Sequence, residues 1–217
     1  MRELFGVYIH WPFCASKCPY CDFNSHVSDT IDHMQWADSY KKEIDYIADQ
    51  LPHKMVTSVF FGGGTPSLMM AETVEIILSH IQKKWRISND VEITLEANPS
   101  SSDVEKFKDF KVAGVNRLSI GVQSFDDQAL SFLGRRHNAQ QAVNAVQMAE
   151  KIFDRYSFDL IYARPKQTLK DWEQELNQAL EYTRDHLSLY QLTIERGTPF
   201  YIQHARGEFQ CPEQDLA

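Results

Sequence analysis

The run GVYIHWPFCASKCPYC, Gly6 to Cys21, joins an apolar strand-like segment, Gly6 to His10, to a loop with cysteines at positions 14, 18 and 21. Val7 and Ile9 are β-branched and alternate with Tyr8 and His10, the period of a strand that shows two different faces. In the C-x3-C-x2-C spacing that follows, Cys14, Cys18 and Cys21 can ligate three irons of a 4Fe-4S cluster and leave the fourth iron open to another ligand. Three of the four cysteines fall within eight residues, which is not the layout of a disulfide framework. Adjacent thiols that stay reduced imply a reducing compartment. A structural zinc, with His10 or His26 as fourth ligand, is the competing use of the same triplet. Cys211 stands alone and reads as structural.

Working outward, the same strand-then-loop unit recurs. Strand-like runs lie at Gly6 to His10, Thr57 to Phe61, Val91 to Glu96, Arg117 to Val122, Phe158 to Tyr162 and Leu187 to Ile194. Helical periodicity fills the gaps at residues 33–50, 71–84, 102–113, 139–151 and 169–184, the last under a Thr168 cap. Six strands alternating with helices predict an α/β fold with a parallel sheet, either doubly wound and open or an incomplete barrel. Residues 1–217 read as one domain, with 43% hydrophobic and 24% charged residues and no linker or repeat.

Composition also bounds the partners. The 22 Lys and Arg against 30 Asp and Glu give a formal charge of -8, which argues against a general nucleic-acid surface. Only Arg135, Arg136 and His137 suggest a local basic patch. The apolar stretches are too short for a membrane span, and Met1 to Gly6 is too short for a leader before the first strand. The expected location is the cytoplasm.

Ligands in such folds sit beyond the carboxyl ends of the strands, and the distinctive motifs fall there. The cysteine loop follows the first strand, Gly62-Gly63-Gly64-Thr65-Pro66-Ser67 the second, and Glu96-Ala97-Asn98-Pro99 closes the third. Gly121-Val122-Gln123-Ser124-Phe125 ends the fourth, and Asp159 lies in the fifth, before Tyr162-Ala163-Arg164-Pro165. Each has an ordinary reading as well: a glycine turn, a helix cap for Glu96 or Asp159, a core aromatic for Tyr8.

Together, Tyr8 to Cys14, Cys18 to Ser25, the glycine-threonine-proline loop and Gly121 to Phe125 resemble the radical S-adenosylmethionine superfamily. Within its coproporphyrinogen-dehydrogenase-like branch the chain is most similar to the HemW-type heme chaperones. The resemblance implies an incomplete (β/α)6 barrel, a 4Fe-4S cluster on Cys14, Cys18 and Cys21, and S-adenosylmethionine at the open iron. It carries over Tyr8, Gly63, Gly64, Thr65, Glu96, Gln123, Arg135 and Asp159 as cofactor-binding positions. Tyr20 adds an aromatic surface for the adenine. Gly63 and Gly64 admit backbone to the methionine end, Glu96 accepts from ribose hydroxyls, and Arg135 pairs with a carboxylate.

The branch turns on Phe23. Coproporphyrinogen dehydrogenases of this branch carry a further cysteine there, whereas Asp22-Phe23-Asn24-Ser25 matches the chaperones, implying heme as cargo, a heme-acceptor protein and an electron donor as partners. No histidine is assigned as heme ligand. Two departures stand out. Relatives place glycine where this chain has Ala163, an apolar residue at Arg164 and often glycine at Lys166; a positive φ at position 163 would strain Ala163 or shut the site. The family also continues past the segment matching Gln210 to Ala217 into a region with a His-Asn-x-x-Tyr-Trp signature, which does not occur here. The expectation is a shortened member whose sixth strand exposes an edge.

Overall fold

A computed structural model describes residues 3–213; the ends of the expected domain, 1–2 and 214–217, lie outside the described residues. In chain order the elements are β1 (Leu4–Trp11), β2 (Phe13–Cys14), β3 (His26–Val27), α1 (His33–Gln50), β4 (Met55–Gly63), α2 (Ala71–Lys84) and β5 (Arg86–Ala97). There follow α3 (Ser101–Val104), α4 (Phe107–Val112), β6 (Arg117–Gln123), α5 (Asp127–Phe132), α6 (Ala139–Ile152), β7 (Arg155–Tyr162), α7 (Leu169–Tyr182), β8 (Ser188–Gln191) and α8 (Pro199–Ala205).

Six strands pair in the order β1-β4-β5-β6-β7-β8, every pair parallel, and the sheet curls into a half-barrel. This is the incomplete barrel, not the doubly wound sheet: strand order follows chain order throughout, so no crossover reverses direction. Alternation along each strand sorts the side chains. Ile9, Trp11, Phe61, Leu95, Ile120 and Phe158 are buried against the helices. Each such side chain is worth about 1.5–3 kcal/mol of burial. Tyr8, His10, Glu96 and Asp159 occupy the alternate positions on the concave side. β8 forms one edge of the sheet, with Leu189 and Tyr190 exposed.

The helices begin where their caps are. Asn138 and Gln141 form a reciprocal capping box on α6, and Thr168 with Asp171 does the same on α7, as the Thr168 cap predicts. The expected helix over 102–113 is two pieces. The break falls at Glu105 and Lys106, where Lys106 bonds by its backbone to Asp103 O at 3.0 Å and by its side chain to Ser67 O at 3.2 Å. That anchor sets the second piece so that Phe107 and Phe110 both enter the core. The sixth strand is shorter than the apolar run implies: Leu192 turns into a second cluster with Leu133, Ile161 and Phe200.

Candidate functional site

The cysteine loop is tied at its base. Two-residue strands β2 and β3 pair in parallel, and His26 N donates to Pro12 O at 2.7 Å, closing the loop across the cysteines. Beside it runs the glycine loop after β4: Gly64 N donates to Trp11 O and Thr65 N to Phe13 O, both at 2.7 Å. A Cβ on Gly64 would stand 2.6 Å from Phe13 O, and one on Gly63, which has φ +115°, would stand 2.6 Å from His10 Nδ1. The glycines therefore serve first to let two loops of this chain touch.

All four cysteines are free thiols. Among the described residues no three His, Cys, Asp or Glu side chains stand in a metal-holding arrangement. What surrounds the three loop cysteines suits a thiolate-held cluster. Thr65 Oγ1 donates to Cys14 Sγ at 3.5 Å, and Arg135 Nη1 to Cys18 Sγ at 3.4 Å. Asn98 joins these two donors: its Nδ2 donates to Thr65 Oγ1 at 3.1 Å, and its Oδ1 accepts from Arg135 Nη2 at 2.5 Å. The chain Cys14, Thr65, Asn98, Arg135, Cys18 is thus continuous and uses each polar group in its proper sense. Burial pushes the Cys21 thiol up, with Cys18 and Cys14 adding to the effect and the Phe23 backbone and Lys17 opposing it. A cation bound to the sulfurs would reverse that balance.

The concave wall carries the other candidates. His10 Nε2 lies 2.9 Å from Asn24 O, which can only accept, so Nε2 bears the proton. Nδ1 then accepts from Tyr8 OH at 3.1 Å, joining the wall to the cysteine loop. Glu96 accepts from Gly63 N at 3.2 Å. Burial raises its carboxyl to about 7, the Gly63 N–H opposing and Asp159 adding to the rise. Burial likewise brings Asp159 to about 6, against Ser188, Arg117 and Arg135. Two carboxyls raised toward neutrality on one concave wall, Glu96 further than Asp159, are suited to bonding hydroxyl groups.

The glycine loop, the thiol triplet and this wall now stand together at the carboxyl ends of the strands. A family model, the radical SAM superfamily, matches residues 8–179. The chain belongs to the radical S-adenosylmethionine superfamily. Radical S-adenosyl methionine domain-containing protein 1, mitochondrial, of Danio rerio is 40% identical over 212 residues, 97% of this chain and 48% of the relative. Heme chaperone HemW of Escherichia coli is 40% identical over 197 residues, 90% of this chain and 52% of the relative. Coproporphyrinogen III oxidase from Escherichia coli, a radical SAM enzyme, superposes with a TM-score of 0.84 at 25% identity, over 99% of this chain and 50% of that one. The radical SAM chain thus spans about half the length of the curated relatives it matches, in the oxygen-independent coproporphyrinogen oxidase-like branch.

The remaining sequence candidates divide. Arg135 points inward, its Nη2 also on Gly121 O at 2.9 Å, and its buried Nε has no hydrogen-bond partner. Tyr20 OH lies 3.5 Å from Arg135 Nη1, but its ring packs 6.2 Å from Phe200, so this aromatic belongs partly to the second core. Gln123 ends β6 with φ +68°. A Cβ on Gly121 would stand 3.0 Å from Gln123 Nε2 and 3.4 Å from Arg135 Nη2, so Gly121 leaves the room both occupy. The basic patch at 135–137 does not form. Arg136 alone faces out, onto Ala15 O, while His137 is buried against Val122 O and brought to about 4 by burial and then Arg135.

Asn98 was visible within Glu96-Ala97-Asn98-Pro99, yet nothing in sequence singled it out as the bridge between two cysteine partners. Ala163 takes φ +56° and Lys166 φ +63°, so the positions where the family resemblance leads one to expect glycine have left-handed backbone, which this chain holds with strained residues. Among the described residues no helix is long and apolar enough to cross a membrane.

Proposed function

We propose that this chain is the 4Fe-4S and S-adenosylmethionine-binding part of a heme chaperone, a protein that binds heme and passes it to an acceptor. The observation that carries the reading is Phe23. It is 59% exposed two residues past Cys21, in a chain about 40% identical to proteins named heme chaperone, where a dehydrogenase of the branch would have a further cysteine.

Cys14, Cys18 and Cys21 would hold the cluster, and Thr65 and Arg135 donate to two of their sulfurs. When bound, the cluster supplies one-electron chemistry to S-adenosylmethionine. The chain's own part is positional. Asn98 fixes the two donors, Gly63 and Gly64 hold the loops together, Glu96, Gln123 and Asp159 offer hydrogen bonds along the wall, and Tyr8 and His10 brace the loop. An electron donor and an acceptor protein complete the scheme. The clustered thiols favour a reducing compartment, the cytoplasm; since the Danio rerio relative is named mitochondrial, imaging of a tagged chain decides.

Anaerobic reconstitution with iron and sulfide, followed by titration with S-adenosylmethionine and heme, tests the reading. Cluster absorbance and heme binding are expected; tight zinc without a cluster would overturn it. Cys18→Ala should abolish cluster assembly and change the unfolding free energy by under about 1 kcal/mol, because the loop lies outside the core. Oxidative decarboxylation of coproporphyrinogen III would instead favour an enzyme of the coproporphyrinogen dehydrogenase type, the reading to which the 0.84 TM-score lends weight.

A further inference from the structure

Four non-glycine residues have positive φ among the described residues: His53, Gln123, Ala163 and Lys166. Three of them immediately precede residues bonded to one carboxylate, that of Glu175 on α7. After Gln123, Ser124 Oγ and Phe125 N donate to Glu175 Oε1, the latter at 3.0 Å. After Ala163, Arg164 donates to Oε1 from Nη1 at 3.3 Å and to Oε2 from Nη2. After Lys166, Gln167 Nε2 donates to Oε2 at 3.4 Å. The Arg164 and Glu175 side chains are 9% and 8% exposed.

Left-handed backbone at a residue with a side chain is costly and persists only where the surroundings over-determine it. Here the three turns share one anchor. A buried ion pair is weak as a source of net stability, since desolvation offsets much of the attraction, but a strong constraint on geometry when all its hydrogen bonds are filled. We infer that Glu175 is the positioning residue that fixes the two loops leaving β6 and β7 at the ligand end of the sheet. Arg164 balances its charge and secures the strained turns at Ala163 and Lys166. Because Gln123 opens the first of these loops, the clamp sets where that amide stands for S-adenosylmethionine. This last step rests on the proposed function; the clamp itself does not.

Two variants test it. Glu175→Gln leaves Arg164 with an unpaired buried charge and lowers stability, an outcome a structural role alone would also give. The double variant Arg164→Met with Glu175→Met removes both charges with similar volume, so it escapes the cost of an unpaired guanidinium and is destabilised only by the lost bonds of Ser124, Phe125 and Gln167 to the carboxylate, all of them in these two loops. Amide hydrogen exchange of the cluster-free chain, read by mass spectrometry, should nevertheless be about tenfold faster in both segments 121–127 and 162–168 of the double variant. Exchange confined to 162–168, or unchanged in both, overturns the clamp.

Titration of the reconstituted double variant with S-adenosylmethionine should show affinity about tenfold weaker at unchanged cluster absorbance. Unchanged affinity alongside faster exchange overturns the positioning of Gln123. If the wild type itself binds no S-adenosylmethionine, the functional reading fails, and the exchange measurement still decides the clamp.

Discussion

The loop after β4 and the loop after β7 meet the same backbone demand by opposite means. In the first, the positive φ falls on Gly63, and the missing Cβ atoms of Gly63 and Gly64 are filled by His10 and by the Phe13 backbone. In the second, positive φ falls on Ala163 and Lys166, and their strain is held by a buried carboxylate and guanidinium. Where two stretches of backbone touch, only glycine fits. Where a loop merely has to turn, a side chain is tolerated if something else enforces the turn.

The largest effect that would break this contrast is at Gly63. Gly63→Ala adds a Cβ at φ +115° against His10 and should cost about 3 kcal/mol in chemical denaturation, strain and overpacking together. A loss as small as that of an ordinary surface change would mean the two loops separate easily.

Next is Glu96, which accepts from Gly63. Its carboxyl titrates near 4.5 in the unfolded chain and about 7 in the fold, so the folded state holds the proton more firmly. The resulting stabilisation is complete below pH 4.5 and is lost as pH rises through 7. Glu96→Gln should abolish this slope and make the variant more stable than the wild type at pH 8 by about 3 kcal/mol, with little difference at pH 4.5. Denaturation midpoints at the two pH values measure it; parallel profiles would show that Glu96 ionises without penalty.

Smaller again is Ala163→Gly. Relief of left-handed strain outweighs the added chain entropy, and a gain of about 0.5–1 kcal/mol is expected. The same denaturation experiment reads it, and a loss would mean that Ala163 is unstrained at φ +56°.

The parts of the site legible in sequence were those carried by residue type at fixed spacing. The cysteine triplet and the glycine run follow from turn residues and spacing, and the shared face of Glu96 near the end of β5 and Asp159 within β7 follows from a period of two. The strained glycine replacement at Ala163 was legible too, because only one backbone conformation makes the expected glycine matter. Short elements were less so. α8 opens on Thr198 before Pro199, and its seven residues carry too little periodicity to stand out in the sequence. β2 and β3 are two residues each and exist only because the cysteine loop closes on itself.

By itself the sequence determined the parallel α/β order and which motifs fall at the carboxyl ends of the strands, because alternation and spacing are local properties of the chain. Tertiary structure alone decided that the sheet curls in chain order, that Asn98 links Thr65 to Arg135, and that Glu175 reaches two loops from a helix some fifty residues beyond the first of them. A buried polar group must find partners wherever the fold places them. Those partners are set by position in space, which no spacing along the chain records.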